Sequence, residues 1–114
     1  MINHGENLPV TIVEHLRGGA GEVYVKDLTL GRKPVNLRMF SEMILLKGCS
    51  IGTHTHAGDG EIIYILSGEG IYFDGNAESP VRAGDALVCC SGESHALRNE
   101  GDMPLKYLAC IIME

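Results

Sequence analysis

The sequence predicts an all-β sandwich or barrel. Turn signals recur about every ten residues. No segment carries the periodicity or cap residues of an amphipathic helix, and the apolar residues fall in short runs such as Leu108-Ala109-Cys110-Ile111-Ile112-Met113.

The elements follow in chain order. Val10 to Val13 reads as a short strand after Pro9. Gly18-Gly19-Ala20-Gly21 is a flexible link in which φ > 0 costs little. It is no phosphate cradle, because the Walker lysine and the helix that should follow are both missing. Glu22 to Val25 is a second strand, Gly31 to Pro34 breaks the chain, and Leu37 to Lys47 is a long strand expected to line one wall of the core. Residues 1–30 are thus N-terminal strands and an arm, and residues 37–113 are the body of the barrel. Beyond residue 66, tight turns are expected at Ser67–Gly70, Ala83–Asp85, Ser91–Ser94 and Asn99–Asp102. Strands are expected at Ile71–Phe73, Ala86–Cys90 (apolar on both faces), His95–Arg98 and Leu105–Met113, with Asp74 to Pro80 as a polar loop.

Composition sets the outer bounds. At 114 residues, 45% of them hydrophobic, the chain fits one domain with one core, residues 1–114. Fifteen acidic against nine basic residues give a formal charge of −6 without a basic cluster, which disfavours nucleic acid as a partner. No apolar run reaches the roughly 18 residues of a membrane span, and Met1 to Glu6 lacks the features of a signal peptide, so a cytoplasmic protein is expected. Cys49, Cys89, Cys90 and Cys110 show no C-x-x-C spacing, and buried, reduced thiols are expected.

Chemistry concentrates between Gly48 and Gly68. Residues two apart on a strand share a face, so His54 and His56 project together from a run made extended by Ile51, Thr53 and Thr55. Ala57-Gly58-Asp59-Gly60 has turn composition, and Glu61 to Leu66 reads as the returning strand of a hairpin. That pairing would set Glu61 opposite His56, with Cβ atoms about 4.5–5.5 Å apart. One ion with bonds of roughly 2.0–2.2 Å is then within reach of two imidazoles and a carboxylate.

The two stretches 48–68 and 84–99 resemble the paired motifs of the cupin superfamily. In the first, Gly48 is followed by five residues, His54-Thr55-His56, four residues, Glu61, six residues and Gly68. In the second, Gly84 leads through Cys90, Ser91 and Gly92 to His95 and Asn99, with Cys90 where the family usually has proline. Only fifteen residues, Glu69 to Ala83, separate the motifs, as in compact single-domain bacterial members of the oxalate-decarboxylase-like kind. The resemblance implies a double-stranded β-helix, or jelly-roll, barrel. It also implies that His54, His56, Glu61 and His95 hold one divalent transition metal inside that barrel. Three nitrogens and one oxygen suit Mn, Fe, Co, Ni or Zn and leave positions for a chelating ligand.

For function the resemblance implies a metal-dependent cupin that binds a small carboxylate such as oxalate, and a decarboxylase or dioxygenase is one form this can take. The alternative is a non-catalytic module for a small metabolite or sugar, with a sugar isomerase or epimerase third. Glu93 is weighed as a proton shuttle against a solvated turn residue. Arg38 and Arg98 are weighed as cations for the ligand's far end, with strand alternation turning Arg98 away. Cys90 reads as a packed thiol, and His4 and His15 as exposed residues without ligand-spaced companions. A homodimer is expected from the apolar faces of Ala86–Cys90 and Leu108–Met113, with the segment before Gly18 free to be exchanged.

Overall fold

The computed structural model describes residues 1–114 and contains ten strands and two short 3-10 turns. The strands are β1 (Thr11–Glu14), β2 (Glu22–Asp27), β3 (Leu37–Leu45), β4 (Ser50–Thr55), β5 (Asp59–Ser67), β6 (Glu69–Phe73), β7 (Glu78–Arg82), β8 (Ala86–Cys89), β9 (Ser94–Arg98) and β10 (Leu105–Met113). They form a six-stranded sheet in the order β1-β2-β3-β10-β5-β8 and a four-stranded sheet in the order β4-β9-β6-β7, with every pairing antiparallel. From β3 onward the chain passes from one sheet to the other at almost every connection, which is the jelly-roll plan.

The core lies between the sheets. Strand alternation sends Met43, Leu45, Ile63, Ile65, Leu105, Tyr107 and Ala109 inward from one sheet and Ile51, Tyr72, Val81 and Leu97 from the other. Asn99 closes one end: its Nδ2 donates to Leu45 O (2.8 Å) and Met103 O (2.9 Å), and its Oδ1 accepts from the Gly101 amide (2.9 Å).

Several expectations change. The largest concerns the hairpin: β4 pairs with β9 and β5 pairs with β10 and β8, so His56 and Glu61 come from different sheets, not from opposed positions of one ladder. Residues 56–58 make the bend, because β4 ends at Thr55 and Asp59 and Gly60 already pair with Met113 and Ile112. The tight turn expected at Ser67–Gly70 narrows to Gly68, the corner by which β5 leaves its sheet for β6. Gly68 takes φ +86° there, and a Cβ on it would collide with Pro104 O. Within the expected loop Asp74–Pro80 lies the start of β7, whose Glu78, Ser79 and Pro80 pair along β6. Its polar composition fits an edge strand, where proline is tolerated. Cys90 lies past the end of β8 and is exposed, while Cys89 is buried and Cys49 and Cys110 are half-buried. The strand is one residue shorter than its apolar run, which leaves Cys90 outside the packing.

Candidate metal centre

Four side chains converge between the sheets. β4 supplies His54, the bend after β4 supplies His56, β9 supplies His95 and β5 supplies Glu61. One ligand atom from each lies within 4.8 Å of all the others. His95 Nε2 is the hub, 3.1 Å from His54 Nε2, 3.1 Å from His56 Nε2 and 3.0 Å from Glu61 Oε1. His56 Nε2 lies 3.1 Å from Glu61 Oε1, and His54 Nε2 lies 4.0 Å from it. His56, Glu61 and His95 are 4%, 7% and 3% exposed, so water does little to screen them from one another.

A β-bulge brings His54 to this point. Ile51 pairs with Leu97 and His54 pairs with His95, so three residues of β4 span two of β9. The extra residue reverses the alternation, and both Ile51 and His54 can border the same cavity. Gly52 lies inside the bulge, pressed against the segment Arg17–Gly19. A Cβ on either Gly19 or Gly52 would strike backbone atoms of the other stretch.

Each imidazole is held through Nδ1. His54 Nδ1 meets Gly52 O at 2.8 Å, His56 Nδ1 meets Asp59 Oδ1 at 2.8 Å, and His95 Nδ1 meets Tyr72 Oη at 2.8 Å. A carbonyl and a carboxylate only accept, so His54 and His56 carry hydrogen on Nδ1 and present a bare Nε2 lone pair inward. Burial pushes the His54 imidazole below its ordinary value and favours the neutral form a ligand needs. The Asp59 carboxyl is held low, first by its hydrogen bond with His56 and further by Arg38. Burial raises the Tyr72 phenol, so it stays protonated.

These residues fit a metal ion. Electron-pair donors 3.0–3.1 Å apart repel one another unless a proton or a metal cation lies between them, and four such atoms converging give an ion more donors than protons alone can pair. Neighbouring ligands at right angles on an ion with bonds of about 2.1 Å stand about 3.0 Å apart, whereas tetrahedral neighbours stand about 3.4 Å apart. The separations that centre on His95 match the first value, while His54 Nε2 and Glu61 Oε1 stand wider at 4.0 Å.

The centre opens onto a cavity of about 140 Å³ whose walls include Met39, Met43, Ile63, Leu97 and Ile111. Arg17 also borders it. Sequence reasoning missed this residue, and no local signal marks it, because the close approach of Gly19 and Gly52 sets its position. Arg17 takes φ +55° and makes no hydrogen bond or ion pair through its guanidinium within the chain. Of the cations weighed earlier, Arg38 binds Asp59 Oδ2 through Nη1 at 2.6 Å, and Arg98 pairs with Glu78 and Glu100. Glu93 is exposed, and its Oε1 accepts the Cys90 amide at 2.7 Å. His4 and His15 are exposed and stand outside the four-residue cluster.

A jelly-roll barrel with three histidines and a glutamate gathered inside defines the class. The chain belongs to the cupin family: the Cupin domain model matches residues 41–111. It is 42% identical over 102 residues, 89% of its length, to the oxalate-binding protein of Thermotoga maritima, of which it covers 84%. The crystal structure of a predicted oxalate decarboxylase from Thermotoga maritima superposes with a TM-score of 0.93 at 37% identity, covering all of both chains. A cupin-superfamily sugar phosphate isomerase from Silicibacter pomeroyi shares only the fold, with TM-score 0.72 and 19% identity over 81% of this chain and 60% of that one.

Proposed function

We propose that this protein is a metal-dependent cupin that captures a small carboxylate, with oxalate as the leading candidate, on an ion held by His54, His56, Glu61 and His95. The observation that carries the proposal is the four-donor cluster facing a confined cavity. Three neutral imidazoles and one carboxylate leave a divalent ion with net positive charge, which favours a chelating anion. At 140 Å³ the cavity is well below the 300–1,000 Å³ of sites for larger ligands. That scale suits a two-carbon diacid and disfavours a sugar. The oxalate-binding relative at 42% identity supports the same ligand class.

Arg17 supports an anionic ligand as well, as an unpaired cation beside a cavity that otherwise offers apolar walls. Mn, Fe, Co, Ni and Zn all suit the donor set, and a bound ion would supply Lewis-acid polarisation of the ligand's oxygens. Decarboxylase or dioxygenase turnover is the second form of the proposal. It needs a proton donor or redox partner at the cavity, and Glu93 is engaged with its own turn, so binding ranks above turnover. The test is metal analysis of the purified protein followed by calorimetry with oxalate. Metal-dependent oxalate binding supports the proposal, and loss of oxalate binding with metal present removes this ligand class.

The proposal extends to the molecule's setting as one cupin domain with an N-terminal arm. The outer face of the six-stranded sheet exposes Ile62, Tyr64 and Val88, and a second copy of the chain covering this face would make a homodimer. A cytoplasmic location fits four free cysteines kept reduced there. No helix is long and apolar enough to cross a membrane.

A further inference from the structure

The three imidazoles are held from behind by different groups, and only His56 is held by a charge. Its partner Asp59 is 6% exposed and bridges two donors, His56 Nδ1 at Oδ1 (2.8 Å) and Arg38 Nη1 at Oδ2 (2.6 Å). The peptide of His56 is fixed independently, its amide donating to Glu93 O (3.0 Å) and its carbonyl accepting from Gly92 N (2.6 Å). Those bonds leave the ring free to turn about its own torsions. Asp59 is the group that holds its Nδ1 side.

We propose that Asp59, clamped by Arg38, is a positioning residue that holds His56 in the Nδ1–H tautomer with Nε2 turned into the cluster, and so sets the affinity of the centre for its ion. The inference rests on the metal-binding reading above and adds residues that lie outside the ligand set. A carboxylate behind a ligating imidazole fixes its orientation and makes it a better electron-pair donor, and losing such a partner typically costs about 10–100-fold in metal affinity.

Asparagine at position 59 tests this sharply, because it has one accepting and one donating end. With its oxygen toward His56, its NH2 meets the Arg38 guanidinium, and two donors oppose each other. With its oxygen toward Arg38, its NH2 faces His56 Nδ1, which must then accept, moving the ring hydrogen to Nε2 where it blocks the ion. Removing Arg38 frees the asparagine to turn its oxygen to His56.

Zn(II) and Mn(II) affinities would be measured by chelator competition for the wild type, Asp59→Asn, Arg38→Met and the double variant. The expected result is a roughly 10–100-fold loss in Asp59→Asn, a smaller loss in Arg38→Met, and partial recovery in the double variant relative to Asp59→Asn. A merely structural role would give additive losses with no recovery. Nitrogen-15 spectra of the metal-free imidazoles provide the second readout, with Nδ1–H expected at His56 in the wild type. An Nε2–H His56 in the wild type overturns the proposal even if Asp59→Asn does not fold. Wild-type affinity in Asp59→Asn also overturns it. If the wild type binds neither ion, the metal reading fails, and the His56 tautomer still decides whether Asp59 orients the ring.

Discussion

His54 and His95 face each other directly across the β4–β9 ladder, and their Nε2 atoms lie 3.1 Å apart. His54 turns a bare Nε2 lone pair toward His95 there, and an ion held between the rings would bind only the folded chain. Loading the protein with Zn(II) at about 100 times its Kd should add about 2.7 kcal/mol of stability. That corresponds to a melting temperature higher by roughly 10 °C for a chain of this size. His56→Ala should abolish most of the rise, and calorimetry with and without chelator checks it. An equal rise in a His54→Ala/His56→Ala variant would place the ion elsewhere.

Asn99 makes three hydrogen bonds with its side chain while only 1% exposed. Asn99→Ala would leave the Leu45 and Met103 carbonyls and the Gly101 amide without these partners, at roughly 1–3 kcal/mol for each group left buried and unsatisfied. The expected loss is about 2–4 kcal/mol, softened by water at the exposed side, with no direct effect on metal stoichiometry. Urea unfolding of the metal-free protein measures it, and a loss below about 0.5 kcal/mol would contradict this account.

The Asp27 carboxyl is held below the usual carboxylate range, first by the amide of Thr29, and Asp74 is held low by the amides of Ala77 and Asn76. For a group whose folded pKa is depressed, the stabilisation is fully present above the unfolded value of about 3.9 and is lost as pH falls through the lower folded value. Asp27→Ala and Asp74→Ala should therefore be less stable than the wild type near neutral pH, and the difference should close under strong acid. Urea midpoints compared at pH 6 and pH 2.5 decide it, and a difference undiminished at the lower pH would refute it.

Much of the fold is legible in the sequence because burial between two sheets writes itself as alternation. β10 falls on Leu105–Met113 as its apolar run indicates, and the faces of His95, Leu97 and Asn99 follow from parity. What local pattern cannot carry is which strands pair. Residues 54–61 read as a hairpin because a polar turn joins two extended runs, yet jelly-roll topology sends those runs to opposite sheets. The grouping of His54, His56, Glu61 and His95 holds regardless, since facing sheets bring their inward residues together as surely as a ladder would. Arg17 and the bulge at residues 52–53 escape the sequence because both depend on a contact between segments some thirty residues apart.

Ile62 and Val88 are register partners on β5 and β8, both exposed on the outer face of the six-stranded sheet. If a second copy covers this face, Val88→Lys places a charge in an apolar contact and should shift the protein toward monomer. Light scattering at micromolar concentration should give a dimer for the wild type and a smaller mass for the variant. A monomeric wild type would refute the dimer. A wild-type dimer unaffected by Val88→Lys would place the contact elsewhere, and deletion of residues 1–17 then asks whether the arm carries it.

On the proposed function, Arg17 at the border of the cavity would distinguish a two-ended anion from a one-ended one. An anion chelated at the ion by one end can present its other oxygens to the guanidinium, and a hydrogen bond between charged groups contributes about 1.5–3 kcal/mol. Arg17→Gln should weaken oxalate binding by roughly 10–100-fold, leave metal affinity unchanged, and weaken acetate, which has no second carboxylate, far less. Calorimetry on Zn-loaded protein separates these effects from redox chemistry, and parallel assays with Mn- and Fe-loaded protein, with and without oxygen, report any turnover. Equal losses for oxalate and acetate would mean that Arg17 supplies only a general field. No loss for either would remove it from the site. Turnover that appears with Mn or Fe and vanishes with Zn and in Glu61→Ala would favour the enzyme, whereas tight binding without turnover under every loading would favour the binding module.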